Sequence, residues 1–207
     1  MSASRTPKSP AEERANAQRE RILDAAKQCF IGRGFHAASM AAIAETAGMS
    51  QGLIYRYFPS KDAIILAIME RQLVDSRAAI HALHGAANFE AAVLKVFTDW
   101  CSANPRVMNA ALFLEISADA ARNPELPAAV HASDLAIRDE LARWLAAPCS
   151  NGGKGLSPEL APARALMLQC FMEGLATRAL REPDLDLELL KVAIAGFLSG
   201  VFKAGLT

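Results

Sequence analysis

The chain has 207 residues, is 52% hydrophobic and has a formal net charge of zero, which is apolar material for one sizeable core or two modest ones. Collagen-like and disordered classes are excluded by that balance, and no run reaches the roughly 18 apolar residues that span a bilayer. The neutral total hides an asymmetry: residues 1–61 carry nine Lys/Arg against five Asp/Glu, and the remainder 13 against 17, so the first segment can still meet an anionic partner.

Alanine recurs throughout and β-branched alternation is almost absent, a pattern that predicts an all-α protein. The N-terminal MSASRTPKSPAEERAN is polar and lacks the apolar stretch of an export signal, so a cytoplasmic location is expected. Cysteines at 29, 101, 149 and 170 show no CxxC spacing. They read as small buried hydrophobes rather than zinc ligands or disulfides.

Residues 1–16 hold two prolines and three serines without periodicity, and read as a flexible tail. A first helix is predicted from about Ala17 to Gly32, since Ile22, Ala26 and Phe30 recur every four residues. Ser39 is a suitable N-cap for a second, short helix ending at Ala47, and Gly48 supplies a left-handed position after it. Ser50 caps a third helix through Tyr57, stopped by Pro59. A long fourth helix is predicted from Lys61 to His84, with the boundary between a 17–61 domain and a 62–207 domain near its start. Further on, Asn88, Pro105 and Pro124 open helices reaching about Ala103, Ala121 and Ala147. The loop PCSNGGKGLSPELAP then leads to two final helices, near 159–181 and 184–205, separated at Pro183.

Two short helices joined by a glycine turn, the second capped by a serine, form a helix-turn-helix pattern, whose second helix fits the roughly 12 Å major groove of B-DNA. The same hairpin is also ordinary core architecture. The residues decide further. AAKQCFIGRGF, IAETAGMSQGLIYRYF and the FPSKD junction, within residues 19–68, resemble the N-terminal DNA-binding domain of the TetR family of transcriptional regulators. EISADAARNPEL and the last two helices resemble, more loosely, a ligand-binding half of that family.

The resemblance implies an all-α fold: an N-terminal three-helix helix-turn-helix domain followed by a larger helical domain for ligand binding and dimerisation. It also implies that Ser39, Ser50, Tyr55, Tyr57 and Lys61 face phosphates, while Gln51, Gly52, Leu53 and Arg56 lie at or near base edges. The chemistry of these side chains agrees in outline. Glutamine pairs with adenine, arginine forks onto guanine, an apolar chain touches the thymine methyl, and tyrosine hydroxyls suit phosphate oxygens. Two residues depart from the family pattern. Leu53 stands where a polar residue is common, which favours a methyl contact, and Ala42 replaces an acidic residue, so a reciprocal capping box at Ser39 is lost. Met49, Ile43, Ala47, Ile54 and Phe58 read as core, and Arg19 and Arg21 as solvated, with phosphate contact from the start of the first helix as the alternative.

The last two helices are apolar on more than one face, which requires a second surface to bury them. The family implication is a homodimer through these helices, holding two recognition helices about 34–36 Å apart on a palindromic operator. An effector pocket is implied in the same half, with Trp100, Met108, Phe113, Met167 and Phe171 as apolar candidates and Glu115 and Glu173 as polar ones. The expected partners are thus a double-stranded DNA operator, a small-molecule effector and a second copy, without a membrane. No cofactor and no metal are expected: His81 and His84, or Glu115 and Asp119, share helix faces but no complete ligand set accompanies them. GGKG at 152–155 lacks P-loop spacing, and neither HExxH nor a nucleophile elbow occurs, so an enzyme is not expected. The alternatives are a ligand-independent regulator or activator, or, in another class, a helical-bundle enzyme or carrier.

Overall fold

The computed structural model describes residues 9–82, 88–102, 109–122 and 126–203. Among these, every regular element is helical: α1 (Pro10–Ala37), α2 (Met40–Ala47), α3 (Gln51–Tyr57), α4 (Lys61–Ala82), α5 (Phe89–Cys101), α6 (Ala110–Ala120), α7 (Pro127–Ala146), α8 (Ala161–Arg181) and α9 (Leu187–Val201), with a short 3₁₀ turn at Cys149–Asn151. The chain divides into two compact units between Ile68 and Met69. That division falls inside α4, some two turns beyond the expected position near residue 62.

The largest difference from expectation is at the start. Residues 10–16 are helix, not tail, because Ser9 and Glu12 close a reciprocal capping box in which Ser9 Oγ accepts from the Glu12 N–H and Glu12 Oε2 accepts from the Ser9 N–H. Pro10 at the first helical position and Glu12 and Glu13 in the first turn reinforce it. The prolines and serines that suggested a tail are here a helix start. At its other end α1 continues past Gly32 to a break at Gly34, whose φ of 75° and ψ of 160° are open only to glycine.

In the first unit α1 packs on α2 and α2 on α3. Ile22, Leu23, Ala26 and Phe30 of α1 are buried, as are Ile43, Ala44 and Ala47 of α2, Ile54 and Phe58 at α3, and Ile64, Ile65 and Ile68 of α4. Met49, expected in the core, is only half-buried. Ser39 Oγ accepts from the Ala42 N–H and Gly48 closes α2 in the left-handed conformation, with φ of 61°. The two predicted boundaries around the glycine turn are therefore met.

The second unit is built on one cluster that joins Ile80 of α4, Val93 and Phe97 of α5, Leu141, Trp144 and Leu145 of α7, Ala165, Leu168 and Leu175 of α8, and Leu190, Ile194 and Leu198 of α9. Its last helix begins about three residues later than expected. α6 is capped by Asn109, which accepts from the Ala111 and Leu112 N–H groups, α7 starts at Pro127 and α9 at Leu187 behind Asp186. The expected starts at Pro105 and Pro124, and His84 and Ala103, lie outside the described residues. The glycines of the 148–160 loop fold it back on α7. Trp144 Nε1 donates to the Gly152 carbonyl at 3.1 Å, and a side chain at Gly153 would collide with the Ala147 carbonyl. Cys29 is buried as expected, but Cys149 and Cys170 are exposed; each lies on a surface turn or on the outer stripe of α8, which a count of cysteines does not reveal.

Candidate nucleic-acid interface

α3 has seven residues, too few to be stable alone in water, so its position depends on what anchors it. Ser50 Oγ accepts from the Leu53 N–H at 3.3 Å, and Ile54 is the only residue within the helix that is fully buried. At 100° per residue the direction opposite Ile54 is shared by Gly52 and Arg56, with Gln51 and Tyr55 to one side and Leu53 and Tyr57 toward the other. Exposure follows that wheel: Gln51, Gly52, Tyr55 and Arg56 are exposed, while Leu53 and Tyr57 are half-buried. Ser39 and Ser50, the caps of α2 and α3, are both exposed. Eight of the nine predicted residues thus occupy the α2–α3 hairpin.

Lys61, the ninth, opens α4 and turns toward α1. Its Nζ donates to the Phe35 carbonyl at 2.8 Å and to the His36 carbonyl at 3.4 Å, and it stands 4.5 Å from the centroid of the Phe35 ring. An ammonium has three donors, so this arrangement uses two on the end of α1.

Gly52 is informative because nothing in the chain requires it. A Cβ built there meets no atom within 4 Å, and no left-handed φ is recorded at that position. Glycine in a helix costs about 0.5–1 kcal/mol relative to alanine, with no internal contact to offset it.

Two arginines of α1 reach toward this hairpin: Arg19, read as solvated, is half-buried, and Arg21 is exposed as expected but also meets the turn. The Arg19 guanidinium carbon lies 4.5 Å over the Phe58 ring centroid, and Arg21 Nη2 is 3.5 Å from the Gly48 carbonyl oxygen. Both come from α1, and their partners flank α3. Arg19 could have been found from the helical wheel, where it falls between the directions of the buried Ile22 and Leu23, whereas Arg21 projects about 100° to the other side of Ile22 and has no such signal.

The candidates for an effector site in the second unit do not converge. Met167 is exposed, and Phe171 stacks on Phe197 with ring centroids 4.0 Å apart. Trp100 packs against the core cluster, Phe113 and Glu115 are half-buried on α6, and Met108 lies outside the described residues. Met167 and Phe171, four apart, share a face of α8, but Glu173 lies roughly 200° around from Phe171. Glu173 instead joins a polar cluster between α8 and α7, where Arg138 Nε donates to Gln169 Oε1 at 3.1 Å. Burial raises the pKa of Glu173, and the neighbouring Asp134 raises it further, against the opposing pull of Arg138. Asp134 is likewise raised by burial, with Arg138 and His131 acting in the opposite direction.

Phe171 lines a different feature, an open apolar groove between α8 and α9 with Cys170, Gly174, Leu175 and Leu189 among its walls. On the same two helices Leu166, Met167, Leu180, Leu187, Leu189 and Val192 are exposed. Alternating with them, Gly174 and Gly196 present space in which a Cβ would meet nothing.

A short serine-capped helix after a left-handed glycine, exposing glutamine, tyrosine and arginine from a basic segment, defines a helix-turn-helix protein. The sequence comparisons give the family. Residues 22–68 match the profile described as bacterial regulatory proteins, tetR family, and residues 89–203 the profile described as the C-terminal region of BetI-type transcriptional repressors. The chain belongs to the TetR family of bacterial regulatory proteins. It is 32% identical over 133 residues to the HTH-type transcriptional regulator UidR of Escherichia coli, a match that covers 62% of this chain and 65% of UidR. Over 68 residues it is 41% identical to the HTH-type transcriptional repressor KstR of Rhodococcus jostii, covering 30% of this chain and 32% of KstR. The fold is similar to that of Salmonella enterica GusR, with TM-score 0.64 and 23% identity over 88% of this chain and 96% of GusR. It is also similar to Bacillus subtilis FadR, solved in complex with stearoyl-CoA, with TM-score 0.66 and 19% identity over 90% of this chain and 99% of FadR.

Proposed function

We propose that this protein is a cytoplasmic transcriptional regulator, not an enzyme, that binds a palindromic operator as a homodimer and releases it when a small molecule occupies the second unit. The observation that carries this reading is Gly52, a helix residue with no internal reason to be glycine, at the centre of the exposed face of α3. Its missing side chain serves something outside the chain, and a DNA surface approached by the backbone is the partner for which the neighbouring Gln51, Arg56 and Tyr55 are suited. Gln51, Gly52, Leu53 and Arg56 are assigned to base edges, with Leu53 on a thymine methyl. Ser39, Ser50, Tyr55 and Tyr57 are assigned to phosphates, together with Lys61 through the donor not used on α1.

Dimerisation through α8 and α9 is supported by the apolar surface that they expose, where leucine and valine knobs lie beside glycine hollows. Repression by linkage follows if the effector prefers a conformation in which the two α3 helices no longer match one turn of DNA; effector and operator then weaken each other by the same factor. α4, which contributes Ile64 and Ile68 to one unit and Ile80 to the other, is the covalent route for that coupling.

An electrophoretic mobility shift on the DNA beside its own gene, at stated salt, tests the first part. The expected outcome is a specific shift that competitor random DNA does not remove; no specific shift at low salt rejects the reading. A thermal-shift screen of metabolites, acyl-CoA thioesters included, then addresses the effector. A ligand at 100 times its Kd adds about 2.7 kcal/mol, and a ligand that stabilises without loosening the operator rejects the linkage.

A further inference from the structure

The reading just proposed makes α3 the element that meets bases, and the present inference rests on it. α3 is short, holds one fully buried residue of its own, and must nonetheless present its outward side chains at a defined angle. Its neighbours have to supply that definition. Ile54 and Phe58 pin one side, but two apolar anchors on one edge leave a short helix free to rock about the line joining them. The two arginines of α1 reach positions that oppose this motion. Arg19 covers the ring of Phe58, the residue that ends α3 and whose N–H closes it on the Ile54 carbonyl at 2.9 Å. Arg21 reaches the carbonyl of Gly48, two residues before the Ser50 cap, and leaves so little space there that a Cβ on Gly48 would lie 2.8 Å from its Nη2. One arginine therefore meets the end of α3 and the other the turn that launches it.

We propose that Arg19 and Arg21 are positioning residues, setting the orientation of α3 from α1 through Phe58 and the Gly48 carbonyl, and do not themselves bind DNA phosphates. The guanidinium suits both tasks: its plane lies over an aromatic face, and its fork of N–H donors reaches a carbonyl that no longer has a helical partner. Specificity for the operator thus depends on two residues outside the hairpin that makes the base contacts.

The two readings of a basic residue, orientation and phosphate contact, differ in their salt dependence. A lost phosphate contact lowers the slope of log K against log salt by roughly 0.9, and by twice that in a symmetric dimer. A lost positioning contact leaves the slope unchanged. The experiment measures binding of the full-length protein to operator and to random duplex across a salt series, for the wild type, Arg19→Met, Arg21→Met, Phe58→Leu and the Arg19→Met/Phe58→Leu pair, with thermal denaturation alongside. The expected result for each arginine variant is a loss of roughly fivefold to thirtyfold on operator, the scale of one cation–π or carbonyl contact. Random-duplex affinity and salt slope stay close to wild type, and the melting temperature falls by no more than a few degrees. Phe58→Leu and Arg19→Met are non-additive in the operator-to-random ratio, because they remove one contact between them.

A fall in slope with equal losses on both DNAs overturns the proposal in favour of phosphate contacts, and unchanged affinity on both overturns it in favour of solvated side chains. Should Phe58→Leu fail to fold, Arg21→Met and its slope decide alone. If the wild type shows no operator preference, it is the function reading that fails, an outcome distinct from a wild type that discriminates and arginine variants that do so equally well.

Discussion

The α2–α3 hairpin and the α8–α9 surface are both exposed, and they are exposed at opposite cost. Tyr55 is 48% exposed on α3, and beside it stand Gln51 and Arg56, whose polar ends water solvates without penalty. On α9 Leu189 is 61% and Val192 72% exposed, apolar area that water disfavours by about 25 cal/mol per Å². The first surface is stable while waiting for a partner. The second costs solvation free energy as long as it is uncovered, which is why a permanent partner is proposed there and a transient one at α3. The difference shows that exposure by itself does not mark a site; the solvation cost of what is exposed separates an assembly surface from a recognition surface.

The comparison is broken most thoroughly by charging the apolar surface. If α8 and α9 form the proposed dimer interface, Leu189→Lys with Val192→Lys puts charges into it and forfeits roughly 1.5–3 kcal/mol per side chain that the dimer would bury; analytical ultracentrifugation should then show monomers, and operator affinity should collapse with them. Next in size, Ile54→Ala removes the one fully buried anchor of α3 and should cost about 2–5 kcal/mol in denaturant unfolding. Smaller and more selective, Gln51→Ala should lose discrimination at one base position by roughly 1–3 kcal/mol, while Tyr57→Phe weakens operator and random DNA alike. The sharpest contrast is Gly52→Ala. It should leave stability unchanged or raise it by up to about 1 kcal/mol, yet weaken operator binding, since the space a methyl would take is free within the chain.

The smallest effect concerns pH. Asp134 and Glu173 have folded-state pKa values raised by burial, so the folded chain holds these protons more tightly than the unfolded chain. Their contribution favours the fold below the ordinary carboxylate range and is lost as pH rises through the raised values. Glu173→Gln should therefore raise the melting temperature slightly at neutral pH, and the gain should disappear under acid conditions.

Much of the first unit was legible because its signals are local. Ser39, Gly48, Ser50 and Pro59 act through their own backbone and their immediate neighbours, and each ends or begins a helix where sequence reasoning places it. The same local chemistry was misread at Ser9 and Pro10, where a capping box looked like a tail, because helix start signals and tail composition draw on the same residues. In the second unit the expected starts at Pro105 and Pro124 lie outside the described residues, and the described helices begin behind Asn109 and at Pro127. The effector candidates rested on the family resemblance and on residue type, neither of which says which of them face one cavity.

By itself the sequence determined the helical class, the hairpin and its caps, since these follow from short-range periodicity and capping chemistry; the family and the residues assigned to DNA came from the resemblance of the 19–68 motifs to the TetR family. Only the tertiary structure decided where the long cations go. Lys61, Arg19 and Arg21 each have a flexible stem that reaches many partners, and the choice of the α1 carbonyls, the Phe58 ring and the Gly48 carbonyl depends on helices brought together across more than 20 residues of chain. Tertiary packing likewise left Leu189 and Val192 in water, because which side of a helix is buried is settled by its neighbours.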